Sequence, residues 1–103
     1  MISYICVLDF EATCWDNNQI DKSKVEIIEF PSILYKLNST NKKLEKIGEF
    51  HEYVKPVINP ILSDFCIKLT GIKQEIVNKA DIFENVLKRH YYFSREIKDK
   101  KLN

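Results

Sequence analysis

At 103 residues, of which 45% are hydrophobic and 30% charged, the chain has room for one small domain and little for a second. A formal net charge of +1 supplies no global field that would draw nucleic acid, so any such role must rest on local sites. Three cysteines without Cys-x-x-Cys spacing argue against a disulfide framework or a sulfur-bound zinc, and the apolar run from Ile2 to Leu8 is too short for a signal peptide or membrane span, so a reducing cytoplasm or nucleus is the expected compartment.

Ser3 to Phe10 is dominated by apolar and β-favouring residues, which suits a central strand buried on both faces and ending at its first charge, Asp9. Residues 11–24 lose periodicity and gather Asp16, Asn17, Asn18 and Asp21, as a solvated loop would. Val25 to Leu37 reads as a second strand, and Pro31, which cannot donate to a ladder, predicts a bulge, a bend or a free edge there. After a polar turn around Asn38 to Lys43, Leu44 to Lys55 returns as a third strand with Gly48 as its bulge, giving an antiparallel meander. The first strand, read as central, would then keep one uncovered side, so a fourth strand is expected to be missing from this chain.

The period then lengthens. Asn59-Pro60 predicts a helix start, with Ile61, Leu62, Phe65, Cys66 and Leu69 on one face and Gly71 as the stop. Lys73 to Lys79 suits a short helical turn. Asp81 with Glu84 resembles a capping box opening a third helix, with Ile82, Phe83, Val86, Leu87 and Tyr91 as its apolar stripe. Beyond it the basic residues Lys88, Arg89, Arg95, Lys98, Lys100 and Lys101 outnumber Glu96 and Asp99. That end reads as a solvated helix end, or as an electrostatic arm for nucleic acid. Strands followed by helices make an α/β or α+β domain.

Asp9 and Glu11 stand two apart at the end of the first strand, and strand periodicity sends both side chains to one face. Two converging carboxylates are costly unless a cation or proton sits between them. Mg²⁺ or Mn²⁺, hard ions that take oxygen ligands, would suit the pair. A lone D-x-E is also compatible with ordinary surface charge, so its surroundings decide.

Those surroundings are DFEATCW at 9–15, EIIEFP at 26–31, FHEYVKP at 50–56, NPILSDFC at 59–66 and LTGIKQEIV at 69–77. In this order and spacing the five blocks resemble the Eri1 (3'hExo) branch of the DEDDh 3'-to-5' exonucleases, over residues 3 to about 88. The resemblance implies an α/β, RNase H-like exonuclease fold of which this chain holds the N-terminal half, a three-stranded antiparallel meander followed by helices. It divides the chain into a partial exonuclease domain at 1–88 and a divergent basic tail at 89–103. It places Asp9 and Glu11 on the family's first acidic motif, which holds two catalytic metal ions, and Phe10, Ala12 and Thr13 along the terminal nucleotide. Phe65 falls on an aromatic that stacks on the 3'-terminal base, although its helical position equally allows core packing. Glu26 and Glu29 look structural.

The implied reaction is two-metal hydrolysis of phosphodiesters at RNA 3' ends, or at single-stranded DNA ends, with no membrane involved. The family's third acid, its histidine base and its fourth acid have no counterpart here, since neither His51 nor His90 is followed by an aspartate in a comparable motif. Both histidines read as surface or half-buried groups. The expectation is therefore a truncated, incomplete enzyme, with a non-catalytic nucleic-acid-binding or regulatory fragment as the alternative, and a complementing protein chain as a conceivable partner.

Overall fold

The computed structural model describes residues 1–16 and 21–102, so the expected loop positions Asn17 and Asn18 lie outside the described residues. Strands β1 (Ile2–Leu8), β2 (Glu11–Ala12), β3 (Ile27–Asn38) and β4 (Lys43–Lys55) precede helices α1 (Asp64–Thr70) and α2 (Gln74–Asn78). A two-residue strand β5 (Asp81–Ile82) then leads into the long helix α3 (Phe83–Leu102). The meander is as expected: β1 runs antiparallel to β3 from Ile2↔Asn38 to Leu8↔Ser32, and β3 runs antiparallel to β4. β5 adds in parallel beside β4 through Val54↔Asp81 and Lys55↔Ile82.

The central strand is β3, not β1. Among the described residues β1 pairs with β3 alone, and Ile5, Val7 and Leu8 remain exposed. Its uniform apolarity resembles that of a strand buried on both faces, but α3 lies mainly over β4. β3 instead shows the alternation of a strand with one dry face, burying Ile28, Phe30, Ser32 and Leu34.

Pro31 makes neither a bulge nor a free edge, because the register with β4 runs unbroken from Glu29↔Tyr53 to Leu34↔Gly48. The Pro31 carbonyl accepts the Asp9 amide at 3.4 Å, so the side of Pro31 that lacks a donor faces the gap between β1 and β2. The missing N–H falls where the ladder is already interrupted. The bulge lies at Gly48 as expected: Leu34 faces Gly48 and Tyr35 faces Lys46, leaving Ile47 as the extra residue.

The first helix begins four residues later than Asn59 predicts. Its cap is Ser63, whose hydroxyl accepts the Cys66 amide at 3.0 Å, and residues 57–59 are held outside the helix by side-chain bonds described below. Of the expected stripe only Leu62 and Cys66 are buried; Ile61 and Leu69 face solvent. Gly71 ends α1 in the left-handed conformation, φ 75°, as its place in the sequence suggests. Asp81 enters β5 and does not pair with Glu84 in a capping box. Its carboxylate accepts from the Ile82 amide, the Asn85 side chain and Arg89, and these bonds hold it below the usual carboxylate range.

Helix α3 continues without a break through 88–89, so residues 89–102, read as a basic tail, extend the same helix. Its inward side is rotated from the expected stripe. Val86 is buried while Leu87 and Tyr91 are exposed, and His90, Phe93 and Ile97 continue the packed side at helical spacing. Two clusters form the core. Ile28, Leu62, Cys66, Ile72 and Val77 join α1 and α2 to the sheet, and Phe30, Val54 and Val86 join α3 to it.

Candidate metal and nucleic-acid site

The motif at 9–13 straddles the gap between β1 and β2. Asp9 is exposed just past β1, with its amide on the Pro31 carbonyl, while Glu11 in β2 lies opposite Glu29. Pro31 and Glu29 are two apart on β3, which keeps Asp9 and Glu11 on one side of the sheet. Phe10 points to the other side, its ring packed edge-on to Phe30 at 4.7 Å with 39% of the residue still exposed. Thr13 is buried. Its amide donates to the Glu26 carbonyl at 2.8 Å, and its hydroxyl accepts the Glu26 amide at 3.0 Å.

The first turn of α1 is fastened to the same strand. The Ser63 hydroxyl donates to the Cys14 carbonyl at 2.6 Å, and the Cys66 thiol lies 3.7 Å from the Ala12 carbonyl. Phe65, between Ser63 and Cys66, belongs to neither core cluster and is 38% exposed. Burial, then the hydrogen bond and charge of Cys66 and the charge of Glu11, push the Cys14 thiol up to about 11.

Two neighbours of the site escape a reading by motif. Glu29, directly across from Glu11, contacts His51 Nε2 through Oε2 at 2.6 Å. The imidazole eases what would otherwise be two like charges facing each other on paired strands. Glu26 accepts three loop amides at 57–59. The alternation of EIIEFP placed both glutamates on a strand, but their partners lie more than twenty residues away, where no local spacing reveals them.

The carboxylates of Asp9 and Glu11 are hard oxygen donors and fit a divalent cation on one side. Among the described residues no group of three or more His, Cys, Asp or Glu side chains gathers in a ligating arrangement.

The sequence model of the exonuclease family, RNase_T, matches residues 6–101. The chain belongs to this exonuclease family. Exonucleases of this DEDDh class work with divalent metal ions. The chain is 51% identical over 86 residues to 3'-5' exoribonuclease 1 of Homo sapiens, covering 84% of this chain and 23% of that protein. It is 43% identical over 97 residues to the 3'-5' exonuclease eri1 of Schizosaccharomyces pombe, covering 92% and 30%. The fold matches the nuclease domain of 3'hExo, a DEDDh family member solved bound to rAMP, with a TM-score of 0.73 at 47% identity over 89% of this chain and 44% of that one. Cell-death related nuclease 4 matches with a TM-score of 0.77 at 31% identity, covering 91% and 30%. The exonuclease chain thus spans less than a third of either curated relative. Among its described helices none is long and apolar enough to cross a membrane.

Proposed function

We propose that this chain is a metal-dependent exonuclease domain directed to RNA 3' ends, with Asp9 and Glu11 as the ligands of Mg²⁺ or Mn²⁺. The carrying observation is that the carboxylate motif and the exposed Phe65 are fastened to one another through Ser63 and Cys14. A bound divalent ion would supply Lewis-acid activation for phosphodiester hydrolysis. The chain's own residues bind and orient. Ala12 offers a close backbone approach for the terminal nucleotide and Phe65 a face for its base, while Thr13, buried and bonded to Glu26, and Phe10, packed on Phe30 across the sheet, hold the strand in place. A related 3'-exonuclease of the same fold recognises the 3' end of the histone mRNA stem-loop, which supports RNA over DNA. Free thiols at Cys6, Cys14 and Cys66 suit a reducing cytoplasmic or nuclear compartment.

Among the described residues no third acid, histidine or cysteine joins Asp9 and Glu11 in a ligating group, which favours a second reading: binding of nucleic acid without turnover. One assay separates the readings. A single-stranded RNA labelled at its 3' end is incubated with the chain at high concentration in Mn²⁺. Release of mononucleotides, lost in Asp9→Ala and in Glu11→Ala, supports catalysis. Salt-sensitive binding without release supports the second reading. Neither release nor binding at low salt refutes both.

A further inference from the structure

The geometry points to Glu26 as a positioning residue that sets the place of Phe65 against the Asp9–Glu11 strand; the inference rests on the nucleic-acid reading above. Glu26 Oε2 accepts the Val57 amide at 2.8 Å, and Oε1 accepts the amides of Ile58 at 2.7 Å and Asn59 at 3.3 Å. Three consecutive N–H groups converging on one carboxylate form an anion-binding concavity filled from within the chain. The backbone of Glu26 is meanwhile locked to Thr13 by a reciprocal pair of bonds, two residues beyond Glu11. One residue therefore grips both the metal-ligand strand and the loop that leads into α1.

The loop is held along its whole length. Glu26 takes its start at 57–59. The Gln74 amide then brackets its middle, donating to the Pro60 carbonyl at 2.9 Å and accepting the Leu62 amide at 2.7 Å. Its end is Ser63, bonded back to the Cys14 carbonyl. Phe65 follows two residues later. Its ring is thus referenced to residues 13 and 14 from both ends of the loop.

The chemistry calls for glutamate. A carboxylate offers two oxygens with lone pairs for three donors, and its charge strengthens each bond. A glutamine keeps one oxygen and turns an NH₂ towards at least one loop N–H. Aspartate keeps the charge but draws it back by a methylene.

The test is binding of a short single-stranded RNA carrying 2-aminopurine at its 3' end and a phosphorothioate at the last linkage, followed by fluorescence quenching. Glu26→Gln is expected to weaken binding about tenfold, the range lost with one stacked base. Phe65→Ala should lose about as much, and the double variant no more than either alone, because both remove the same contact. An RNA with an abasic 3' terminus, labelled instead with fluorescein at its 5' end and followed by anisotropy, should bind the unaltered chain and Glu26→Gln equally. If Glu26→Gln fails to fold by circular dichroism, Glu26→Asp takes its place, with a smaller loss that again vanishes on the abasic RNA.

Unchanged binding by a folded Glu26 variant, additive losses in the double variant, or an equal loss on abasic RNA would each overturn the positioning role while leaving the functional reading intact. Failure of the unaltered chain to bind at low salt overturns the functional reading, and the role of Glu26 with it.

Discussion

The His90 imidazole of α3 stands 2.7 Å from the Ser32 hydroxyl of the central strand, between the rings of Phe30 and Phe50 at 4.8 and 5.1 Å. A residue that reads as part of a basic tail is thus a docking point between helix and sheet. Burial holds its pKa below the ordinary 6.5.

That burial makes stability pH-dependent in a defined direction. The unfolded chain takes up the proton at the ordinary histidine pKa while the folded chain resists it, so the stability tied to neutral His90 is present above about pH 6.5 and is lost as pH falls through the depressed folded value. Asp21 and Asp81, held below the usual carboxylate range by hydrogen bonds, act only in a lower window, below about pH 4. Urea midpoints taken between pH 8 and pH 5 should fall with acidification for the unaltered chain and flatten for His90→Gln. Equal slopes would show that His90 is not the titrating group.

Gly48 lies beneath α3 where a methyl group has no room. A Cβ there would run into Ile97 Cδ1 and lie 3.1 Å from Phe93 Cζ. Ile97 can turn aside, whereas the Phe93 ring is stiff, so Gly48→Ala should cost about 1–3 kcal/mol. Thermal melting reads the loss, and adding Ile97→Ala should recover only part of it because Phe93 remains in the way. A melting temperature unchanged in Gly48→Ala would mean that α3 does not rest on β4 at this point.

The three thiols should react in a set order. Cys66 is fully buried, Cys14 has its thiol pushed up to about 11, and Cys6 is exposed on β1. Because the thiolate is the nucleophile, iodoacetamide at pH 8 should alkylate Cys6 first, with Cys14 and Cys66 following only as the chain opens. Peptide mass spectrometry over a time course gives the order. Early modification of Cys66 would contradict its place in the core.

Local chemistry and block order in the sequence determine much of this protein. Apolar, β-favouring runs separated by a polar turn mark the meander, Gly48 its bulge and Gly71 the end of α1, because each depends on backbone preferences of a few adjacent residues. The motif blocks identify the family because each combines several side chains whose joint spacing is specific. Only the tertiary structure decides the rest. It makes β3 the central strand, since pairing partners are chosen by contacts far apart in sequence and an apolar β1 looks the same at an edge as in the middle. It tolerates Pro31 mid-strand because the absent N–H meets the gap beside Asp9. It moves the helix start from Asn59 to Ser63 because the Glu26 carboxylate, 31–33 residues away, claims the loop amides. It turns His90 inward because α3 packs on the sheet through Val86, Phe93 and Ile97, which lie on the same side of the helix as His90. Asp9 and Glu11 are legible as a pair from their spacing together with the motif blocks around them, whereas the fastening of Phe65 beside them rests on hydrogen bonds that only the folded chain brings together.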